Sequence, residues 1–97
     1  MMPLFEEIPL EDLTDEPERF DFLEGVTDQV VKIVEMHPDE DNDSVYVFMV
    51  WVNPEVSDEV HNKIVANSNK DEVREGWDYI VTHVTDGMIL INASIND

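Results

Sequence analysis

The hydrophobic residues fall into short runs separated by polar, turn-forming segments, and the clearest run is residues 44–52 (SVYVFMVWV). Side chains alternate between the two faces of a strand, and both faces would be apolar here. An edge strand that faces water would instead alternate with polar residues. The run therefore predicts a strand at the centre of a sheet, or a strand whose second face is covered by a helix or another subunit.

Two further runs predict one strand and one helix. Residues 27–36 (TDQVVKIVEM) are rich in β-branched residues, which favour a strand, although so short a run also fits a short helix. Residues 57–67 (SDEVHNKIVAN) begin with Ser57, which suits an N-cap. Val60 and Ile64, four residues apart, would share one helical face. This second run therefore predicts an amphipathic helix.

The last third of the chain allows two interpretations. Residues 69–85 have the apolar spacing of a helix. Residues 77–85 and 88–95 instead fit a hairpin that turns at Asp86–Gly87, and this dipeptide between β-branched runs is a strong hairpin signal. Gly76 would also weaken the interior of a helix by about 1 kcal/mol. The hairpin is the favoured interpretation.

The N-terminal part is expected to be less regular. Two prolines disfavour regular structure in residues 1–14, which are expected to be partly irregular. Residues 15–25 predict a short helix that buries Phe20 and Leu23 on one face. Together the elements predict an α+β fold in a single domain, 1–97. Its small antiparallel sheet would have about four strands, with one or two short helices packed on one face.

Charge changes the picture more than any other property. Asp and Glu supply 24 side chains and Lys and Arg only five, which gives a net charge of −19. Such a charge repels itself and weakens the compact state, so a basic partner or a very salty solvent is expected to offset it. A compact chain of this length is about 32 Å across, and duplex DNA carries roughly 19 phosphate charges over that distance. The chain could replace a short piece of DNA, but direct nucleic-acid binding needs a basic patch, which we do not expect here.

The acids are spread along the chain rather than confined to a tail, so most of the folded surface is expected to be negative. Carboxylates fixed on a folded surface are the groups that a basic surface would bind. The predicted partner-binding residues are the clustered acids Glu18, Asp21, Glu24, Asp39, Glu40, Asp41, Asp43, Asp58, Glu59, Asp71, Glu72 and Glu75.

Metal chemistry is weakly represented. Asp39, Asp41 and Asp43 have the spacing of a calcium loop, but Ser44 and Val50 stand where that loop needs glycine and a bidentate glutamate. The three histidines lack zinc-binding spacing, and the chain has no cysteine to assist them. We therefore expect neither a metal nor a cofactor.

Catalysis and membrane insertion are also not indicated. The sequence contains neither a nucleophile motif nor a glycine-rich phosphate loop, so no enzymatic activity is expected. No apolar run approaches the roughly 20 residues of a membrane helix, and residues 1–10 do not resemble a secretory signal. A cytoplasmic protein is the expectation.

The two tryptophans lie within apolar runs. Trp51 and Trp77 are expected to pack in the core rather than anchor an interface. The second apolar face of the 44–52 strand is the feature that most suggests a homodimer.

In size, acidity and lack of cysteine, the chain resembles a class of small phage proteins that inhibit restriction enzymes, CRISPR effectors or uracil-DNA glycosylase. Those proteins present carboxylates where DNA phosphates would sit. The resemblance implies a DNA-mimicking inhibitor of a basic nucleic-acid-binding protein, acting in the host cytoplasm if it is phage-encoded. An antitoxin or immunity protein against a basic nuclease would share these features. A third interpretation is halophilic adaptation, in which the acids serve only solubility.

Overall fold

A five-stranded antiparallel sheet forms the frame of the molecule. The structure, a computed structural model, describes residues 4–37, 45–69 and 77–95. The strands are β1 (Leu4–Glu7), β2 (Val30–His37), β3 (Val45–Val52), β4 (Trp77–Thr85) and β5 (Met88–Ile95), in the spatial order β1-β2-β3-β5-β4. The described helices are α1 (Asp12–Asp15) and α2 (Ser57–Ser68), and short 3-10 turns connect several of the elements.

The predicted α+β class is confirmed, because the helices pack on one face of an antiparallel sheet. The strand predicted over residues 44–52 is β3, the central strand, and α2 matches the helix predicted over 57–67. The sheet has one strand more than expected. This strand, β1, lies in the segment 1–14 that the prolines predict to be partly irregular, and it pairs with β2.

The last third of the chain is the hairpin of β4 and β5, so the helical interpretation is wrong for the described residues 77–85. The hairpin turns at Asp86 and Gly87, and Gly87 has a φ of 86°, a conformation that glycine adopts without strain. A Cβ at this position would lie 3.0 Å from the carbonyl oxygen of Val52. The turn therefore needs glycine both for its backbone conformation and for its close approach to β3.

The helix predicted over residues 15–25 is wrong. The helix α1 ends where the predicted helix begins, and a 3-10 turn at Asp21–Leu23 follows. The physical reason is that Phe20 and Phe22 are both buried. Residues two apart project from nearly opposite sides of an α-helix, so a regular helix could not bury both rings against one sheet.

The core lies between one face of the sheet and the helical layer, which we define as residues 11–28 and 54–69. Phe20 and Phe22 from this layer pack against Phe48 of β3, with ring centroids 6.1 Å and 5.2 Å away. Nearly every buried hydrophobic residue belongs to this one cluster. Apolar contacts thus fix the helical layer to the sheet. Most polar side chains of the layer face outward, and Ser57 and Asn67 are buried exceptions.

The opposite face of the sheet, which we call the open face, has none of the described helices packed on it. The strand register aligns its side chains in rows, and one row runs through Phe5, Met36, Val47, Asn92 and Ile80 across all five strands. Its apolar residues are Phe5, Val34, Met36, Val45, Val47, Met49, Trp51, Ile80, Met88 and Leu90.

The two tryptophans lie on opposite faces of the sheet. Trp77 packs against the core cluster, as the sequence predicts. Trp51 lies on the open face outside that cluster, so the core expectation is wrong for this residue. Its ring lies 5.3 Å from the Nζ of Lys32, a cation–π contact. The sequence could not show that Trp51 lies away from the core, because both faces of β3 are apolar.

Candidate partner-binding surface

Acidic side chains are concentrated in the helical layer. Sixteen Asp and Glu residues lie in the described ranges, and eleven of them belong to this layer. Over the same ranges the open face carries two carboxylates, Glu7 and Asp78, on the two edge strands. The negative charge of the described residues is therefore divided unevenly between the two sides of the sheet.

A concave surface of about 1160 Å³ lies within the helical layer, along residues 13–27. We call it the acidic concavity. Five carboxylates line it: Asp15, Glu16, Glu18, Asp21 and Glu24. Clefts lined by charges of one sign focus the electric field and raise the local concentration of oppositely charged groups. The acidic concavity is therefore the described surface best suited to receive cationic side chains.

The backbone of the acidic concavity is held in place from both sides. Its own turns close through main-chain hydrogen bonds, for example from the N–H of Leu23 to the carbonyl oxygen of Phe20 at 2.9 Å. The fully buried Asn67 of α2 donates from Nδ2 to the carbonyl oxygens of Phe22, at 3.1 Å, and Glu24, at 2.8 Å. These bonds fix the positions from which the carboxylates project.

Arg19 lines the acidic concavity but is committed to an internal ion pair. One guanidinium nitrogen lies 2.5 Å from Oε2 of Glu35 on β2, and the other lies 3.7 Å from Glu16. Burial lowers the pKa of Arg19, but the hydrogen bond and charge of Glu35, with the charges of Glu16 and Glu6, raise it overall. Arg19 thus stays cationic and compensates the buried carboxylate of Glu35.

A second cavity, of about 300 Å³, adjoins Glu35 on the sheet side of this ion pair. Tyr46 and Trp77 line it with ring centroids 5.4 Å apart. The other carboxylate oxygen of Glu35 lies 2.8 Å from Nε2 of His37. Since Arg19 and His37 occupy both oxygens of Glu35, we interpret this carboxylate as a group that stabilises the fold.

A second acidic pair, Asp58 and Glu59, lies in the first turn of α2 and is exposed. The positive end of the helix dipole favours carboxylates at this position. Asn67, which contacts the acidic concavity, lies nine residues further along the helix, or about 13 Å at 1.5 Å per residue. The two groups of acids therefore occupy opposite ends of the same layer.

The structure thus brings together Glu18, Asp21 and Glu24 and places Asp58 and Glu59 elsewhere on the same side of the sheet. The other predicted partner-binding residues lie outside the described ranges: Asp39, Glu40, Asp41, Asp43, Asp71, Glu72 and Glu75. Sequence reasoning missed two acids of the concavity, Asp15 and Glu16. Asp15 and Glu16 lie within five residues of Phe20, which is buried in the core. This closeness in sequence was the signal that could have placed them on the same surface.

A Ser–His–Asp arrangement occurs at the start of α2. The Oγ of Ser57 lies 3.2 Å from Nε2 of His83, and Nδ1 of His83 lies 3.2 Å from a carboxylate oxygen of Asp58. Ser57 is only 1% exposed, however, and its hydroxyl also donates to the carbonyl oxygen of Pro54 at 3.2 Å. A substrate must reach its nucleophile, so we interpret these contacts as fixing the start of α2 to β4.

Metal binding finds no support in the described ranges, where no three His, Asp or Glu side chains are grouped to hold an ion. His61 and His83 stack with ring centroids 5.3 Å apart, and His37 bonds to Glu35. The acids predicted to resemble part of a calcium loop, Asp39, Asp41 and Asp43, lie outside the described residues.

Comparison with known proteins adds no relative from which a function could be carried over. No protein-family model, curated protein or solved structure matches the chain significantly. Of the helices in residues 4–37, 45–69 and 77–95, none is long and apolar enough to cross a membrane.

Proposed function

We propose that this protein is an acidic inhibitor that occupies the basic nucleic-acid-binding surface of a partner protein, in the manner of a DNA mimic. The observation that carries the proposal is the acidic concavity, where five carboxylates share one surface whose backbone is fixed. The partner would be a nuclease, a CRISPR effector or a DNA-repair enzyme. The protein would act in the cytoplasm, where such enzymes meet DNA.

The fixed backbone of the acidic concavity gives the physical advantage. Oppositely charged surfaces steer diffusional encounter and raise association rates. A flexible acidic tail would lose conformational entropy on binding, whereas carboxylates on an ordered backbone lose less. The anchoring of this segment by Phe20, Phe22 and Asn67 is therefore what a charge decoy needs.

The uneven distribution of charge supports this proposal over halophilic adaptation. Acids that serve only hydration would be useful on every exposed side of the molecule. Among the described residues, eleven of sixteen acids lie in the helical layer, and the open face is mainly apolar. An immunity protein against a basic nuclease would use the same surface, so identification of the partner separates the two.

The experiment is affinity capture followed by competition with DNA. The immobilised protein is incubated with lysate of its source cells at about 50 mM salt, and bound proteins are then eluted with duplex DNA of about 20 base pairs. We expect DNA to release a nucleic-acid-binding protein, because carboxylates and phosphates would compete for the same cations. Captured proteins that DNA cannot release would contradict the proposal.

Matched variants locate the binding surface. Reversal of Glu18, Asp21 and Glu24 to Lys should abolish capture, whereas the same change in net charge at Glu7, Asp78 and Asp86 should leave it largely intact. Circular dichroism of both triple variants verifies that they fold. If the two variants lose capture of the partner equally, net charge rather than the acidic concavity determines binding.

A further inference from the structure

We propose that the open face of the sheet is covered by the open face of a second copy of this chain, so that two copies form a sheet-on-sheet dimer. The proposal is independent of the partner of the acidic concavity, because it uses the opposite side of the sheet. It rests on the apolar rows of the open face, on the area that they cover and on the placement of charge.

The apolar side chains of the open face extend from one edge strand to the other, although Asn92 interrupts the row that joins Phe5 and Ile80. Phe5 and Ile80 lie at the two ends of one row, on the two edge strands, and are 61% and 67% exposed. Between them lie Met36 and the largely buried Val47. Met49 lies in the next row of the central strand, beside Leu90. An antiparallel sheet with one solvated face normally carries polar side chains there, so this pattern indicates a covered face.

The area is sufficient for a dimer. Five strands about 4.8 Å apart and four rows about 6.7 Å apart span a surface of about 500–600 Å² once side-chain margins are included. Two copies would then bury about 1000–1200 Å² in total, which reaches the lower range of specific interfaces. The largest apolar patch of a typical monomer covers about 300–600 Å², so the open face of one copy lies at the upper end of that range.

The placement of charge favours a second copy over other occupants. A basic partner would be attracted to the helical layer. Among the described residues, the open face offers only the carboxylates of Glu7 and Asp78, and Lys32 lies 3.7 Å from Glu7. Two copies stacked through their open faces keep their acidic layers on the two outer sides, about 30 Å apart for sheet and helix layers about 10 Å thick. That distance is about three Debye lengths at 0.1 M salt, so the mutual repulsion of two acidic chains is largely screened.

The position of β3 suits twofold symmetry. β3 is the middle strand of five, so stacking the sheets centre on centre places its open-face residues, Val47 and Met49, near the symmetry axis. A twofold interface uses the same patch on both copies. The dimer would present one acidic concavity on each outer side and could engage two basic sites at once.

The test is the molar mass in solution, measured by light scattering on a size-exclusion column. We expect twice the 11.2 kDa of one chain at micromolar concentration, and a tighter dimer at about 500 mM than at about 50 mM salt because screening reduces repulsion. A chain that stays monomeric at millimolar concentration in high salt would overturn the proposal. A dimer that weakens as salt rises would also overturn it.

Variants locate the interface. Met49→Lys should raise the dimer dissociation constant by about a hundredfold or more, because a buried unpaired ammonium is costly. Lysine lowers the net negative charge, so this loss could not come from greater repulsion. Ile80→Lys, at an exposed position, is the second variant if Met49→Lys fails to fold. Leu10→Lys, an exposed apolar residue outside the open face, should remain dimeric. Dimers that persist in both open-face variants would place the interface elsewhere.

Discussion

The side-chain amide of Asn67 donates a hydrogen bond of 2.8 Å to the main-chain oxygen of Glu24, and so connects helix α2 to the acidic concavity. The same Nδ2 also donates to the carbonyl oxygen of Phe22, and Asn67 is fully buried. One buried amide thereby satisfies two carbonyls of an irregular segment that has little regular structure of its own. The position of the carboxylates depends on this contact.

Asn67→Ala should destabilise the fold by about 2–3 kcal/mol, because two carbonyl oxygens lose their buried donor. The measurement is chemical denaturation followed by circular dichroism. Asn62→Ala, at an exposed position of the same helix, is the matched control and should change the stability by less than about 0.5 kcal/mol. If the two variants lose a similar free energy of unfolding, Asn67 contributes only its helix propensity.

The sequence predicts most of the sheet because its signals are local. The Asp86–Gly87 turn and the β-branched runs on either side of it determine the hairpin of β4 and β5. The strand β1 escapes prediction because it is four residues long at a sheet edge and follows a proline. Its hydrogen bonds come from β2, so pairing rather than local propensity determines its conformation.

The candidate surface is harder to predict than the sheet. The acids of residues 15–24 are visible in the sequence, but their grouping depends on how Phe20 and Phe22 reach the core together. A buried asparagine near a helix end resembles an ordinary cap, so the role of Asn67 is also hidden. The sequence of β3 is apolar on both faces of the strand. It therefore does not indicate which face packs against the helices.

Gly87→Ala should cost about 1–2 kcal/mol of stability, because a side chain at a φ of 86° is strained. Its Cβ would also lie 3.0 Å from the carbonyl oxygen of Val52. Thermal denaturation measures the loss. The neighbouring variant Asp86→Ala, on an exposed side chain, is expected to stay within about 0.5 kcal/mol of the parent. An unchanged melting temperature for Gly87→Ala would contradict the described turn.

Arg19→Met should destabilise the fold by about 2–3 kcal/mol, because it leaves the buried Glu35 without its guanidinium. This loss of stability should be smaller than that for breaking a fully buried ion pair, since the Arg19 side chain is 36% exposed. A double-mutant cycle measures the coupling. Arg19→Met combined with Glu35→Met should be more stable than Arg19→Met alone, because the unpaired charge is gone. Strictly additive losses would show that the two side chains do not interact.

The chain should fold cooperatively in dilute buffer and become more stable as salt is added. Screening of self-repulsion between about 20 and 300 mM salt should raise the melting temperature by about 4–8 °C, the shift given by roughly 1 kcal/mol in a domain of this size. Differential scanning calorimetry makes this measurement. A chain that is unfolded in dilute buffer and folds only in molar potassium chloride would favour the halophilic interpretation.

The central claim is that the fixed carboxylates of the helical layer are bound by cations of another macromolecule. The salt dependence of affinity for the partner that DNA releases, measured by titration calorimetry between about 50 and 400 mM salt, tests it most directly. The account predicts that the logarithm of the association constant falls steadily with the logarithm of salt concentration. It also predicts a shallower slope for a variant in which Glu18→Gln, Asp21→Asn and Glu24→Gln remove three carboxylates without adding cations. An affinity that does not change with salt would contradict it.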